Sequence, residues 1–347
     1  MKKRIVYIVE SFATGVFTYL VDLTNGLSDK YDFLILYGKR EETPKDFKKY
    51  FNNNVKFIEI KNLQRKISIK DIKALKEIKE VLRKEKYDVI HLHSSKAGAL
   101  GRIGIHNKVM FYTPHSYAFL SKNKLKNIIF KIIEIVLSKI NNCKTIACSK
   151  DEYIKTIKFN KNSTYVDNGV NIDYLSTIPV NKSKMSICTC GRIINQKNPK
   201  LFNEIAESFP NIEFIWIGDG PDKHLLTSKN IKVTGFLKRE EALKELVKHD
   251  VFILPSIYEG LSISLLESMY LKRICIVSNI SSNKYIIDNN INGFICKNKE
   301  DYINTINNII NKKYILEKIK REARKDIIKN YNIKKMCEKY EKIYEEN

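Results

Sequence analysis

The chain has 347 residues, of which 43% are hydrophobic and 10% aromatic, a length that exceeds what one core usually organises, so about two globular domains are expected. No stretch approaches the roughly 20 apolar residues of a membrane span, which argues against an integral membrane protein. The formal net charge of +23 indicates either an attraction to anionic lipid, anionic substrate or nucleic acid, or a compositional bias of the genome toward lysine.

The cysteines and the N-terminus indicate the compartment. Seven cysteines are scattered along the chain without a C-x-x-C pair, as expected of buried thiols in a reducing cytoplasm rather than of disulfides or a zinc site. The first apolar run, Ile5–Val9, is only five residues long before Glu10, too short for a signal peptide. We therefore expect a cytoplasmic location, either free or peripheral on the inner face of the plasma membrane.

Apolar strand-like runs alternate with amphipathic helical stretches in the first half of the chain, which predicts a parallel sheet built from βαβ units. Helices are clearest at Ile69–Glu85 and Lys96–His106, and the pair Asn168-Gly169 predicts a turn. The predicted strands are Arg4–Val9, Phe33–Tyr37, Val55–Ile60, Val89–Leu92, Val109–Thr113, Thr145–Ala147 and Thr164–Asn168.

A polar stretch at Pro179–Lys184 predicts a linker, after which a second alternation begins. We expect an N-terminal domain over 1–180, a C-terminal domain over 181–330 and, over 331–347, a helix that returns to the N-terminal domain. Two facing Rossmann-like domains with a central cleft fit this order, and ligands of such sheets bind at the carboxyl ends of the strands. The predicted elements are strands Met185–Cys190, Ile212–Ile217, Ile231–Thr234, Val251–Leu254 and Ile274–Val277, helices Pro199–Phe209 and Glu240–His249, and only helices from there to the C-terminus.

The segment Phe252–Met269 combines a strand end, a loop and a helix start. We expect the side chain of Ser262 to cap the helix by accepting a backbone N–H bond. Free N–H groups at that end favour an anion, while Glu259 in the loop and Glu267 inside the helix can bind sugar hydroxyls. Gly260 lies between the two glutamates and allows close backbone approach.

A pair of cations follows another predicted strand. Arg192 and Lys197 lie in a loop directly before a helix that begins at Pro199. Two cations beside a helix N-terminus suit a diphosphate, because they neutralise the charge that builds up on a leaving group. The alternative, in a chain with 62 Lys and Arg, is an ordinary solvated loop.

The order of these segments resembles the donor domain of the retaining glycosyltransferases of family 4, which have the GT-B fold. The first half resembles the same family less specifically, through residues 90–98, 113–115 and 168–171. The segments that carry the resemblance are Gly191-Arg192 with Lys197 and Pro199, Ile217–Pro221, Val233–Phe236 and Glu259–Glu267.

The resemblance implies a role for each matching residue. The donor diphosphate would be bound by Arg192 and Lys197, and the ribose hydroxyls by Glu267. Glu259 would hold the transferred sugar, with help from the helix start at Gly260, Leu261 and Ser262. Two further contacts are implied, the base with the backbone of Phe236 and the anomeric centre with His115. Gly15 would let acceptor and β-phosphate approach, although many relatives have a glycine pair where this chain has Ala13-Thr14-Gly15.

Residues after the strand Val89–Leu92 are candidates for the acceptor side. We expect His91 and His93 to alternate, so that only one of them faces the ligand. His93 and Lys96 are predicted to contact the acceptor or to support residues that do, and Arg102 to add an anion contact. The two histidines lack a third metal ligand nearby, and no Asp-x-Asp motif is present, so transfer is predicted to need no divalent metal and no cofactor.

The resemblance implies an enzyme that transfers a sugar, with retention of configuration, from a nucleotide sugar to a saccharide or lipid-linked oligosaccharide. A UDP-sugar is the favoured donor. The enzyme would be a bacterial hexosyl- or N-acetylhexosaminyltransferase of capsule, O-antigen or other lipopolysaccharide biosynthesis. The alternative donor is a GDP-sugar, as in mannosyltransferases. Signatures of a GT-B epimerase or phosphorylase are not evident, and the dispersed lysines argue against a nucleic-acid partner.

The stretch Phe119–Ile140 is basic and strongly apolar, and is a candidate for contact with a membrane. Such a helix can lie in a membrane interface, or its apolar residues can face the sheet of the first domain. We expect the core role for most of it, with only the lysine-rich start Lys122–Lys126 near anionic lipid.

Overall fold

A computed structural model describes residues 2–106, 109–120, 124–179 and 184–346. The chain forms two compact units, one from the residues up to Asn168 together with those from Ile333 onward, and one from Gly169–Asn332. Residues 180–183 of the predicted linker and Lys122 of the predicted lipid contact lie outside the described residues. No helix in the described ranges combines the length and the hydropathy needed to cross a membrane.

The described residues contain thirteen strands and thirteen α-helices. The strands are β1 Lys3–Val9, β2 Tyr31–Tyr37, β3 Lys56–Glu59, β4 Val89–His93, β5 Val109–Thr113, β6 Lys144–Ala147, β7 Ser163–Tyr165, β8 Lys184–Cys190, β9 Phe214–Ile217, β10 Ile231–Val233, β11 His249–Leu254, β12 Ile274–Ser278 and β13 Phe294–Cys296. The helices are α1 Thr14–Leu27, α2 Lys70–Lys84, α3 Ser95–Gly104, α4 Lys124–Ile140, α5 Lys150–Thr156, α6 Ile172–Ser176, α7 Pro199–Glu207, α8 Arg239–Leu246, α9 Ile263–Tyr270, α10 Ser281–Ile286, α11 Lys299–Ile310, α12 Leu316–Asn330 and α13 Ile333–Glu345.

The first unit is a parallel sheet of seven strands in the order β3-β2-β1-β4-β5-β6-β7. Its central strands are buried on both faces, which explains their nearly continuous apolar sequences. β1 pairs with β4 in the register Ile5↔Val89, so the ends of both strands, Val9 and His93, lie side by side. The loops that follow β1, β2, β4 and β5 therefore leave the same edge of the sheet.

The second unit is a parallel sheet of six strands in the order β10-β9-β8-β11-β12-β13. Its core packs Trp216 and Phe202 edge to face, with ring centroids 5.0 Å apart. The strands β8 and β11 are neighbours, with Cys188 opposite Phe252. The loops that begin after Cys190 and after Leu254 are thereby adjacent.

Helix α13 belongs to the first unit although it follows the second unit in sequence. It packs on α1, where the hydroxyl of Tyr19 donates a hydrogen bond to the hydroxyl of Tyr340. The approach is close, because a Cβ at Gly26 would lie 2.5 Å from the Cys337 sulfur. The first unit is thus built from two separate stretches of chain.

The expected α/β class with two Rossmann-like halves is confirmed, and every predicted strand is present, with ends that agree or differ by a few residues. Three details were wrong. The strand β13 occupies a region where only helices were expected. Helix α8 ends at Leu246, because His249 begins β11 and pairs with Lys184. The pair Asn168-Gly169 forms no turn and is where the first unit gives way to the second.

Candidate active site

Two loops of the second unit are joined by hydrogen bonds at the carboxyl ends of β8 and β11. The backbone N–H of Ile257 donates to the carbonyl of Gln196 at 2.8 Å. The side-chain amide of Gln196 in turn donates to the carbonyl of Tyr258 at 3.1 Å. These bonds fix the loop that carries Arg192 and Lys197 against the loop that carries Glu259.

Lys197 and Glu259 form a mostly buried ion pair. The Lys197 ammonium lies 2.7 Å from Oε1 of Glu259, and the two side chains are only 16% and 8% exposed. Ser256 donates its hydroxyl to the same carboxylate oxygen at 2.6 Å. An ammonium has three N–H donors, so Lys197 can hold Glu259 and also donate to a phosphate oxygen.

Glycines allow the ends of β8 and β9 to approach each other and Lys197. Gly191 has φ +144°, and a Cβ there would lie 3.3 Å from Cε of Lys197. Gly218 has φ +140°, and a Cβ there would lie 2.2 Å from the carbonyl oxygen of Gly191. The positive φ thus disfavours a side chain at both positions, and at Gly218 the backbone also leaves no space for one.

Glu267 is paired with Arg239, a residue that the sequence did not single out. Nε and Nη2 of Arg239 donate to Oε1 of Glu267 at 3.1 and 2.9 Å, and the guanidinium lies 5.1 Å from the ring centroid of Tyr174. Burial and, to a lesser degree, the negative Glu267 raise the pKa of the Cys190 thiol to about 12, while Lys197 opposes that rise. The β8 end is thus electrostatically coupled to both ion pairs.

Helix α9 begins directly after the Glu259 loop. Gly260 and Leu261 are buried there, and Ser262 is the N-cap residue of the helix. Its side chain makes no capping bond, because its hydroxyl pairs with the hydroxyl of Ser264 at 3.1 Å. The expected side-chain cap was therefore wrong, although the position of the helix start was right.

Phe236 lies on a neighbouring turn of the second unit. The preceding Gly235 has φ +77° and pairs with Gly218 in an isolated bridge. The backbone N–H of Gly218 also donates to the hydroxyl of Thr234 at 3.1 Å. Phe236 is 53% exposed, so its backbone and ring are accessible to a ligand.

In the first unit, three histidine rings lie together. His93 Nδ1 and His115 Nε2 are 3.0 Å apart, and the ring centroids of His91 and His93 are 4.1 Å apart. Residues two apart on a strand point to the same face, so the expected alternation of His91 and His93 was wrong. Burial lowers the pKa of all three imidazoles, that of His115 to about 3.

The backbone holds His115 in an unusual conformation. His115 and Ser116 have φ +55° and +90°, a region that costs free energy for residues other than glycine. The buried carboxylate of Glu152 accepts the backbone N–H of Ser116 at 2.9 Å and that of Cys148 at 2.8 Å. Glu152, which the sequence did not single out, thereby fixes the turn that presents His115.

Two further candidates, Lys96 and Gly15, lie in the first turns of α3 and α1 of the first unit. Lys96 donates to the carbonyls of Gln64 and Lys66, both at 2.6 Å, and to Asp71 at 2.7 Å, so it ties down a loop. Gly15 is the second residue of α1, and a Cβ there would meet nothing within 4 Å.

Arg102 points into the unit. It pairs with Glu134 at 2.9 Å, and both side chains are buried. The anion contact expected of Arg102 was therefore wrong, because its guanidinium is used inside the fold.

A buried carboxylate at the end of β1 was also missed. Glu10 pairs with Arg40, and burial raises its pKa while Arg40 and Lys96 oppose that rise. The signal was present in the sequence, since Glu10 directly follows the first apolar run.

Among the described residues, no three His, Cys, Asp or Glu side chains are grouped as metal ligands. The second unit instead contains two carboxylates, Glu259 and Glu267, each paired with a cation. Glycine-lined strand ends and the N-terminus of α9 belong to the same unit. Such an arrangement can bind hydroxyl groups and an anionic diphosphate at the same time. Gly15, His93, Lys96 and His115 belong to the first unit.

Comparison with known proteins identifies the class. The model of glycosyl transferases group 1 matches residues 175–331, and that of glycosyltransferase family 4 matches residues 13–174. The chain belongs to the family 4 (group 1) glycosyltransferases and is a hexosyltransferase.

Relatives and a solved structure agree with this assignment. The UDP-Gal:α-D-GlcNAc-diphosphoundecaprenol α-1,3-galactosyltransferase of Escherichia coli is 29% identical over 85% of both chains. The α-monoglucosyldiacylglycerol synthase of Acholeplasma laidlawii is 25% identical over 89% of this chain and 88% of its own. Sucrose-phosphate synthase from Thermosynechococcus elongatus superposes with a TM-score of 0.83 at 14% identity, covering 99% of each chain. The predicted GT-B fold is thereby confirmed.

Proposed function

We propose that the protein transfers a hexosyl or N-acetylhexosaminyl group from a UDP-sugar to a lipid-linked saccharide, with retention of anomeric configuration and without a divalent metal. The observation that carries the proposal is the Lys197–Glu259 ion pair at 2.7 Å, next to the glycine-lined end of β8. A carboxylate for the sugar and a cation for the diphosphate occupy adjacent positions there. We infer a site of action on the inner face of the bacterial plasma membrane.

The proposed chemistry follows from what these groups already bind. Glu259 accepts bonds from Lys197 and Ser256, which stabilise it as an anion and suit it to bind sugar hydroxyls rather than to attack the anomeric carbon. In the proposed step the bond from the anomeric carbon to the diphosphate oxygen breaks, and the acceptor oxygen attacks on the same face. The acceptor proton passes to the departing diphosphate, whose charge Arg192 and Lys197 offset.

The relatives support the choice of donor and acceptor. The Escherichia coli relative is named for the transfer of galactose from UDP-galactose to a saccharide on a diphosphoundecaprenol lipid. The Acholeplasma laidlawii relative is named for the synthesis of a diacylglycerol glycolipid. A lipid-linked sugar is thus the acceptor of the first relative and the product of the second. We therefore place the enzyme in the biosynthesis of a cell-surface polysaccharide such as capsule or O-antigen.

The donor is tested by thermal shift with UDP, GDP and ADP, each with and without EDTA. We expect UDP to raise Tm most and EDTA to leave the shift unchanged. A larger shift with GDP would show that the donor is a GDP-sugar rather than a UDP-sugar. Loss of the shift in EDTA would refute metal independence. No shift with any nucleotide would refute the donor site.

The transfer itself is tested with UDP-galactose, UDP-glucose and their N-acetyl forms, and with N-acetylglucosamine diphosphate on a short prenyl chain in detergent. We expect a product whose new linkage has the α configuration of the donor by NMR. A β linkage would refute retention. Absence of transfer to the prenyl-linked acceptor, with transfer to a free saccharide, would refute the lipid-linked acceptor.

A further inference from the structure

Helix α4 turns its apolar side chains outward. Seven apolar residues of this helix are between 40% and 76% exposed. At about 100° per residue they share one side of the helix, so they form a continuous stripe rather than isolated exposed positions. The apolar stripe consists of Leu125, Ile128, Ile129, Ile132, Ile133, Val136 and Ile140.

The inward side of α4 is held by a polar anchor. Glu134 is buried and accepts from Arg102 at 2.9 Å and from the hydroxyl of Tyr112 at 3.0 Å. The Arg102 guanidinium also lies 4.1 Å from the Tyr112 ring centroid. The helix is therefore fixed in its orientation by an ion pair with a carboxylate inside, and the outward direction of its isoleucines is set by the fold.

Helix α2 of the same unit shows the usual arrangement for comparison. Its apolar residues Ala74, Ile78 and Leu82 are buried against the sheet. In α4 only Leu137 among the aliphatic residues is comparably buried. The expectation that the apolar residues of α4 mostly face the core was therefore wrong, because periodicity shows that a stripe exists but not which way it points.

The charges on α4 specify what covers the stripe. Over residues 125–140 every exposed side chain is either apolar or a lysine, and Glu134, the sole acidic residue there, is buried. Lys126 and Lys131 are exposed on the two borders of the stripe, and Lys139 is exposed within it near the end of the helix. Apolar residues bordered by lysines match a bilayer with anionic headgroups, in which the stripe enters the acyl boundary and the lysines meet the phosphates.

We propose that the α4 stripe is the surface by which the first unit docks on an anionic membrane, with the helix lying in the interface plane. The inference rests on the proposed function for the reason why the enzyme visits a bilayer, namely a lipid-linked acceptor. It assigns the contact to the isoleucines of α4 and not only to its lysine-rich start.

The test is sedimentation of the full chain with vesicles of phosphatidylglycerol and phosphatidylcholine in equal parts, and with vesicles of phosphatidylcholine alone. The wild type is expected to bind the mixed vesicles more strongly. The double variant Ile129→Glu/Ile132→Glu removes two side chains from the centre of the stripe and is expected to weaken binding by about tenfold or more. Lys126→Glu/Lys139→Glu is expected to abolish the preference for anionic vesicles.

The matched control is Ile310→Glu/Ile328→Glu, which changes two isoleucines that are 41% and 45% exposed on helices of the second unit. It is expected to bind vesicles like the wild type. Equal binding by the stripe variant and the wild type would overturn the inference. So would light scattering that shows a wild-type dimer and a monomeric stripe variant, since a second copy would then cover the stripe.

Transfer in detergent separates this inference from the proposed function. The stripe variant is expected to transfer sugar to the prenyl-linked acceptor in micelles at the wild-type rate, because docking on a bilayer is not needed there. If neither chain transfers sugar while the vesicle results hold, the proposed acceptor fails and the docking surface stands. If both transfer sugar but the stripe variant binds vesicles normally, the docking surface fails alone.

Discussion

Arg239 donates two hydrogen bonds to one carboxylate oxygen of Glu267, from Nε at 3.1 Å and from Nη2 at 2.9 Å. The two side chains are only 15% and 9% exposed, so water screens the pair weakly. Arg239 thereby orients the carboxylate that we assign to the donor ribose. This makes Arg239 a positioning residue for donor binding, acting through Glu267.

Replacing Arg239 by alanine is expected to weaken UDP binding by about tenfold or more, since charge-assisted bonds that orient Glu267 are lost. Arg239→Lys keeps the charge but lacks the planar guanidinium, so its UDP affinity is expected to lie between those of Arg239→Ala and the wild type. Calorimetry with UDP measures both. Lys244→Ala, which removes an exposed pair on the same helix, is the control, and an unchanged UDP affinity in Arg239→Ala would contradict the positioning role.

Lys197→Ala is expected to lower kcat by about two to three orders of magnitude, because the cation that offsets charge on the leaving diphosphate is lost. Glu267→Ala is expected to abolish transfer while the chain stays folded. Initial rates at saturating donor and circular dichroism are the measurements. Lys200→Ala is the control, since Lys200 lies three residues away and is 79% exposed. Full activity in both Lys197→Ala and Glu267→Ala would show the assigned roles to be wrong.

Gly15→Ala is expected to separate stability from activity. A Cβ at Gly15 meets nothing within 4 Å, and alanine in a helix lowers the entropy of the unfolded chain, so the free energy of unfolding should rise by about 0.5 kcal/mol. Transfer should nevertheless fall, because the methyl group enters the space that we assign to the acceptor and the β-phosphate. Urea unfolding and kcat/KM are the two measurements.

The contrasting variant is Gly218→Ala, in which the new Cβ would lie 2.2 Å from a backbone oxygen. It should lower the free energy of unfolding by more than about 2 kcal/mol. If Gly15→Ala leaves kcat/KM unchanged, the assignment of Gly15 to the substrate is wrong.

The buried histidines predict how stability depends on pH. Burial lowers the pKa of His91, His93 and His115 in the folded chain, whereas unfolded histidine titrates near about 6.5. Below that pH the unfolded state binds protons that the folded state does not. Stability should therefore be full above about pH 6.5 and fall as the pH decreases, by up to about 1.4 kcal/mol per pH unit for each histidine.

Urea unfolding between about pH 7.5 and pH 5 measures this dependence. His93→Gln should reduce its slope, and substitution of the exposed His224 should not. Burial raises the pKa of Glu10 and Glu152, which favours the folded state as the pH falls and so opposes the effect of the histidines. Both variants and the wild type contain these two glutamates, so the comparison between them is unaffected. The same slope in His93→Gln and the wild type would refute the assignment.

The two sheets could be predicted because parallel strands are buried on both faces. Val109–Thr113 was placed with its observed ends, since its apolar run is bounded by polar residues on one side and Pro114 on the other. Strand β13 was missed because its three residues, Phe294–Cys296, show no period and lie in a stretch that was interpreted as helical throughout. Its pairing with β12 supplies the stability that its own sequence does not.

Side-chain partners far apart in sequence could not be predicted. The loop spacing placed Lys197 and Glu259 in neighbouring loops, but nothing in the chain pairs Arg239 with a residue 28 positions later. The direction of the α4 stripe depends on Glu134, whose partners Arg102 and Tyr112 lie on α3 and β5. Such choices are made by packing, which a single sequence does not display.

The position of α13 has a consequence for synthesis. Nδ1 of His91 lies 2.7 Å from the hydroxyl of Tyr344. Tyr344 belongs to α13, which is translated after the whole second unit. The nascent first unit therefore emerges with its face toward α13 uncovered, and its histidines stay open to water until translation has passed Tyr344. Removing α13 should leave all seven strands of the first sheet in the chain but expose the face that Tyr340 and Tyr344 cover.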